Sequence, residues 1–88
     1  MSNISRTSVV IYNDEYVVKG NENGEYIHML AAYVDQKMKM LGQRNSTLSS
    51  TKIAVLTALN LADELNKLQE DYDELFRILE EERKNRMG

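Results

Sequence analysis

Three strings in this sequence hold residues of the kind that do chemistry. Glu25-Tyr26-Ile27-His28 has the Glu-x-x-His spacing by which a carboxylate di-metal centre takes two ligands from one helix face. Such a centre needs a second copy of the string and two further glutamates on facing helices, and this chain has one histidine in all. Ser49-Ser50-Thr51-Lys52 has the Ser-x-x-Lys spacing of a serine nucleophile served by a lysine. Its companion motifs are missing, and a serine helix cap followed by a solvated lysine accounts for the string. The third is the acidic run over residues 63–82, which would suit paired acid–base work if a cleft gathered the carboxylates. Interleaved with Lys67 and Arg77, those acids fit the wet faces of a helix instead. The sequence has no cysteine, which removes thiolate metal and redox sites, and no glycine-rich phosphate loop. We expect no enzyme here, and no cofactor or metal.

The elements that would carry these residues are few. Eighty-eight residues make one domain at most, near the lower limit for an independent core. Without a disulfide to staple it, so small a chain gains its missing buried surface by oligomerising. The opening MSNISRTSVV has no apolar run of the secretory kind, and no stretch approaches the roughly 18 apolar residues of a spanning helix. A cytoplasmic protein is expected, with no membrane partner. Net charge is −3, divided as +1 over residues 1–62 and −4 over residues 63–88. That balance argues against a nucleic-acid partner, which calls for a basic face.

Residues 6–12 and 15–19 are rich in β-branched types and are separated by Asn13-Asp14, a pair that tolerates the positive φ of a two-residue hairpin turn. That turn would pair Ile11 with Tyr16 and Val9 with Val18 on one face, and Val10 with Val17 on the other. One face can cover a helix. The other keeps an apolar centre, for which a partner protein is expected. Ile27, Leu30, Val34, Met38 and Leu41, widened by Ala31, then follow a helical stripe. Asp35, Gln36, Lys37 and Lys39 fall on its water side, and Gly42 is expected to close the helix.

A second helix is expected from a cap at Ser49 or Ser50 to about Arg86, roughly 54 Å at 1.5 Å per residue. Residues 53–62 are apolar nearly all round, as in a helix buried on several sides. Leu61, Leu65, Leu68, Tyr72, Leu75 and Leu79 then follow at steps of 4, 3, 4, 3 and 4, the seam of a coiled coil. Asp63–Lys67, Asp73–Arg77, Glu80–Lys84 and Glu82–Arg86 are acid-first pairs four apart, which support a helix. The pattern lapses at Glu82 and Arg86, so the last turn is expected to fray. Nothing else in the chain is long enough to cover the seam, so its partner is expected to be a second copy. Phe76 and Ile78 lie off the seam, either as solitary surface residues or as a second helix contact joining dimers. Tyr12, Tyr16, Tyr26 and Tyr33 gather in the first part of the chain, at a core edge or an interface. Asn60 is expected to find a hydrogen-bond partner there.

The fold class is therefore α+β: an N-terminal antiparallel β-hairpin, a short amphipathic helix, and a long C-terminal helix forming an intermolecular coiled coil. Residues 1–62 would form a head and residues 63–88 the extension of the same helix. Residues 52–65, Lys-Ile-Ala-Val-Leu-Thr-Ala-Leu-Asn-Leu-Ala-Asp-Glu-Leu, closely resemble the central motif of the ZapA family. Residues 9–20 resemble that family's opening hairpin and residues 32–38 its first helix. The resemblance implies a dimer, often a tetramer, whose heads bind the tubulin-like protein FtsZ and bundle its filaments at the midcell Z ring. It also implies an FtsZ contact around the head and the start of the long helix, here Arg44, Ser46, Ser50, Thr51 and Lys52. Where relatives place bases on the hairpin, this chain has Asp14 and Glu15 at the turn, with Lys19 the nearby base. Two other readings remain open from the residues: a coiled-coil oligomerisation module with another protein partner, and a strand–helix–helix DNA-binding dimer.

Overall fold

The turn of the hairpin falls one residue earlier than its composition suggests. In the computed structural model, which describes residues 4–87, β1 (Ser5–Ile11) and β2 (Asp14–Gly20) pair antiparallel. Tyr12 and Asn13 make the connection, with φ of 51° and 71°. Two successive positive φ angles define the primed turn whose twist matches that of the strands. Val9 therefore lies opposite Tyr16, and Ile11 opposite Asp14, instead of Val18 and Tyr16. Val10 meets Glu15, and Val17 meets Ser8. The slip amounts to two residues along β2, so every side chain keeps the face expected of it. A slip of one would have inverted both faces.

What moves the turn lies in the next element. Helix α1 (Gly24–Arg44) begins at Asn23, whose side-chain oxygen accepts the Glu25 N–H at 2.8 Å. β1 lies along α1; Thr7 and Val9 are buried on the strand, and Ala31 and Met38 on the helix. At the far end Asp35 Oδ1 accepts the backbone N–H of Tyr12 at 2.8 Å, which fixes the first turn residue. Asp35 also pairs with Lys39 at 2.9 Å. It is a structural link, not one of the water-facing residues of the stripe.

Gly42 does not end α1. The helix runs on to Arg44 and stops at Asn45, whose backbone N–H and side-chain Nδ2 both donate to the Leu41 carbonyl, at 3.0 and 2.9 Å. No described glycine has positive φ. Gly42 is required for a different reason: a Cβ there would collide with the Tyr12 hydroxyl and lie 3.2 Å from its Cζ.

Helix α2 (Ser50–Met87) opens at Ser49, whose Oγ takes the Lys52 N–H at 3.3 Å and whose carbonyl takes the Ile53 N–H at 3.0 Å. The Ser-x-x-Lys string is thus a cap and its first turn. The helix continues through Met87 without the expected fraying, held late by Arg86 and Glu82 at 3.0 Å. Backbone contacts divide the chain into two compact units, Met1–Thr57 and Ala58–Gly88. In the first, Ile53 is fully buried and Thr57 nearly so, its hydroxyl donating to the Ile53 carbonyl at 2.8 Å. Val9, Ala31, Met38 and Ile53 are the buried apolar residues among those described, a thin core for a domain.

Candidate interaction surface

The second unit is a single stretch of helix with one apolar stripe. A step of three runs from a to d and a step of four from d to a. Leu65, Tyr72 and Leu79 are therefore a positions, and Leu61, Leu68 and Leu75 are d positions. Leu61 is half-buried, while the rest are more than half exposed, Leu65 at 67 % and Tyr72 at 63 %. Phe76 and Ile78 occupy the flanking e and g positions, both exposed, and the Phe76 ring stacks on Tyr72 with centroids 6.4 Å apart. Five large side chains left open along one line are the signature of a surface awaiting a partner.

The flanks of that stripe are charged. Asp63 and Lys67 pair at 3.0 Å, as their spacing suggests, and the Asp63 carboxylate raises the pKa of the ammonium. Arg77 departs from expectation. It pairs with Glu74 at 2.6 Å and Glu81 at 2.8 Å instead of Asp73, because its forked guanidinium reaches an acid on either side. Glu74 and then Glu81 raise its pKa further. Asp73 accepts from Gln69 instead, at 3.0 Å. No ion pair joins Glu80 to Lys84 among the described residues.

In the first unit, Arg44 ends α1, Ser46 lies in the loop, and Ser50, Thr51 and Lys52 open α2, all exposed. Ser50 and Thr51 share a recess of about 300 Å³ with Tyr12, Asp14 and Tyr16 of the hairpin. The sequence placed Tyr12 and Tyr16 at a core edge or an interface and Asp14 at the turn, but put none of the three with Ser50 and Thr51. Lys19 stands apart: it lies near the other end of the hairpin, directly opposite Arg6. Two like charges face to face across a ladder disfavour the pair, and neither base has an ionic partner among the described residues. Tyr16, Tyr26 and Tyr33 are about half exposed, with Lys37 Nζ 5.6 Å from the Tyr33 centroid. Asn60 Oδ1 is buried without a hydrogen bond, contrary to expectation. Its polar neighbour one turn back, Thr57, spends its hydroxyl on Ile53.

His28 is exposed, and no three His, Cys, Asp or Glu residues among those described gather as metal ligands. No helix among them is long and apolar enough to cross a membrane.

A capped hairpin–helix unit leading into a helix with an open heptad stripe defines a small coiled-coil association module. The family model for "Cell division protein ZapA" matches residues 7–87, and the chain belongs to that family. It is 44 % identical over 79 residues to the cell division protein ZapA of Geobacillus thermodenitrificans, covering 90 % of this chain and 87 % of the relative. To the ZapA of Bacillus mycoides it is 42 % identical over 73 residues, covering 83 % and 82 %. Among solved structures it matches a ZapA mutant dimer from Geobacillus stearothermophilus with a TM-score of 0.68 and 39 % identity, covering 88 % of this chain and 90 % of that one.

Proposed function

We infer that this cell-division family member is a non-enzymatic cross-linker of FtsZ filaments, acting in the cytoplasm at the midcell Z ring. Two copies join along Leu61, Leu65, Leu68, Tyr72, Leu75 and Leu79. Phe76 and Ile78 then join two dimers into a tetramer. Each head offers Arg44, Ser46, Ser50, Thr51 and Lys52 to FtsZ, and none of the charged pair Arg44 and Lys52 is committed to an ion pair among the described residues. Lys19, being remote from them, contributes a separate and lesser contact.

The observation that carries this reading is the uncovered stripe from Leu65 to Leu79 on a chain of this family. Burying each such side chain is worth on the order of 1.5–3 kcal/mol, enough to hold two heads together permanently. Weak single contacts to a filament then become strong through effective concentration. The test is sedimentation of GTP-assembled FtsZ from the same species with and without the protein, followed by negative-stain microscopy. Co-pelleting with bundled filaments supports the reading. A dimer that leaves FtsZ unbundled at micromolar concentration overturns it and leaves an oligomerisation module with another partner.

A further inference from the structure

Helix α1 carries a second stripe beside the one it turns toward the hairpin. Tyr26, Met29, Tyr33, Lys37, Met40 and Arg44 recur at steps of three and four. Met29 is 58 % and Met40 45 % exposed, the two tyrosines are about half exposed, and Arg44 is exposed as well. Ile27, Ala31 and Val34, which line a groove with the hairpin, lie on the neighbouring face. Tyrosine, methionine and arginine are enriched where proteins meet, and the stripe holds no acid.

The order of residue types along the stripe points to its occupant. Rings stand in the N-terminal half, at Tyr26 and Tyr33, and cations in the C-terminal half, at Lys37 and Arg44, with one methionine in each half. Suppose a second α1 lies antiparallel on this face, about a two-fold axis level with position 35. Tyr26 then meets the other copy's Arg44, Met29 its Met40, and Tyr33 its Lys37. The symmetry repeats each pair, so every ring faces a cation and no like charges stand opposite each other. Glu25, exposed in the first turn, comes beside the same Arg44. A parallel pairing would instead set Lys37 on Lys37 and Arg44 on Arg44. The ring–cation pairing already occurs within one chain, where Lys37 Nζ lies 5.6 Å from the Tyr33 centroid.

We propose that α1 is a further self-association surface, on which the heads of two dimers meet antiparallel. It rests on the seam dimer of the functional reading but not on FtsZ. One helix face is a small contact, so it forms where copies are concentrated and parts on dilution, unlike the seam. A copy joined to one neighbour through α2 and to another through α1 links dimers to one another. The contact also gives Tyr26 and Tyr33 a role that the core of the head does not.

The sequence has no cysteine, so single thiols can be placed where the test needs them. Met29→Cys and Met40→Cys proteins are prepared separately, mixed at tens of micromolar and treated with a short bismaleimide. The expected result is a covalent dimer in the mixture, several-fold above that from either variant alone. Like positions are too far apart to link, roughly 16 Å along an antiparallel pair at 1.5 Å per residue. The yield should fall on dilution to a concentration at which light scattering still finds the seam dimer. Adding Tyr33→Lys to both proteins should abolish the link, and adding Lys37→Tyr as well should restore it. Thiols that react with a monofunctional maleimide but link no better in the mixture than alone overturn the proposal. So does a link that survives dilution undiminished, which would lie within the seam dimer. Thiols that stay unlinked but are shielded by FtsZ polymers would assign the stripe to the filament and overturn it too. FtsZ bundling itself is judged separately, by the pelleting assay.

Discussion

The Tyr12 hydroxyl sits where a side chain on Gly42 would begin. The first residue of the hairpin turn thus packs on the last full turn of α1, thirty positions on in the sequence. Glycine inside a helix normally costs about 1 kcal/mol relative to alanine, so its presence there needs the compensation that the Tyr12 ring supplies.

Gly42→Ala is therefore expected to destabilise the protein, by about 1–3 kcal/mol for the displaced ring less the gain in helix propensity. In a Tyr12→Asn background, which retains a residue tolerant of positive φ, the same change should stabilise it. Thermal melts of the four variants at one concentration check the reversal. If the sign of the Gly42→Ala effect is the same in both backgrounds, Tyr12 is not what the glycine serves.

Asp35 has its pKa lowered, first by the Tyr12 N–H and then by Lys39. A carboxylate with a lowered folded-state pKa adds stability above its unfolded pKa and loses it as pH falls through the folded value. Asp35→Asn, which keeps an acceptor oxygen but not the charge, should melt earlier than the parent at neutral pH. The gap should close as pH drops through and below the ordinary carboxylate range. A gap that stays constant with pH would mean that the charge contributes nothing.

Leu68→Glu with Leu75→Glu removes two seam residues from each of two chains, on the order of 6–12 kcal/mol per dimer. Monomers are expected at low micromolar concentration by multi-angle light scattering. An unchanged dimer would refute the assignment of the seam.

Arg44→Ala with Lys52→Ala should lower co-pelleting with FtsZ several-fold while leaving the oligomeric state and melting temperature unchanged. Lys19→Ala should have a smaller effect, because that base lies toward the other end of the hairpin. The reverse ranking would move the contact from the start of α2 to the Arg6–Lys19 edge.

The order of elements and the division of faces were legible because both follow from local periodicity. Val9 and Thr7 on one strand, Ala31 and Met38 on one helix stripe, and the steps of three and four from Leu61 to Leu79 need only their own neighbours. The turn was not legible, because Asn13-Asp14 is the better turn pair by composition. What selects Tyr12-Asn13 is a carboxylate at Asp35, distant in sequence. Gly42 misled for a similar reason: a glycine near a helix end reads as a stop, and only the folded hairpin reveals what it accommodates. At the surface, the bases Arg44 and Lys52 could be named from a family resemblance, whereas Tyr12, Asp14 and Tyr16 beside Ser50 and Thr51 depend on the corrected turn.

The left-handed pair Tyr12-Asn13 has a consequence for how this sequence can drift. An aromatic residue holds a positive φ poorly by itself, and here it is held by Asp35 through its backbone and accommodated by Gly42 through its ring. Positions 12, 35 and 42 therefore form one unit of inheritance, although position 12 lies more than twenty residues from the other two. A lineage that replaces the glycine should also have given up the tyrosine, and one that gives up the aspartate should have moved the turn.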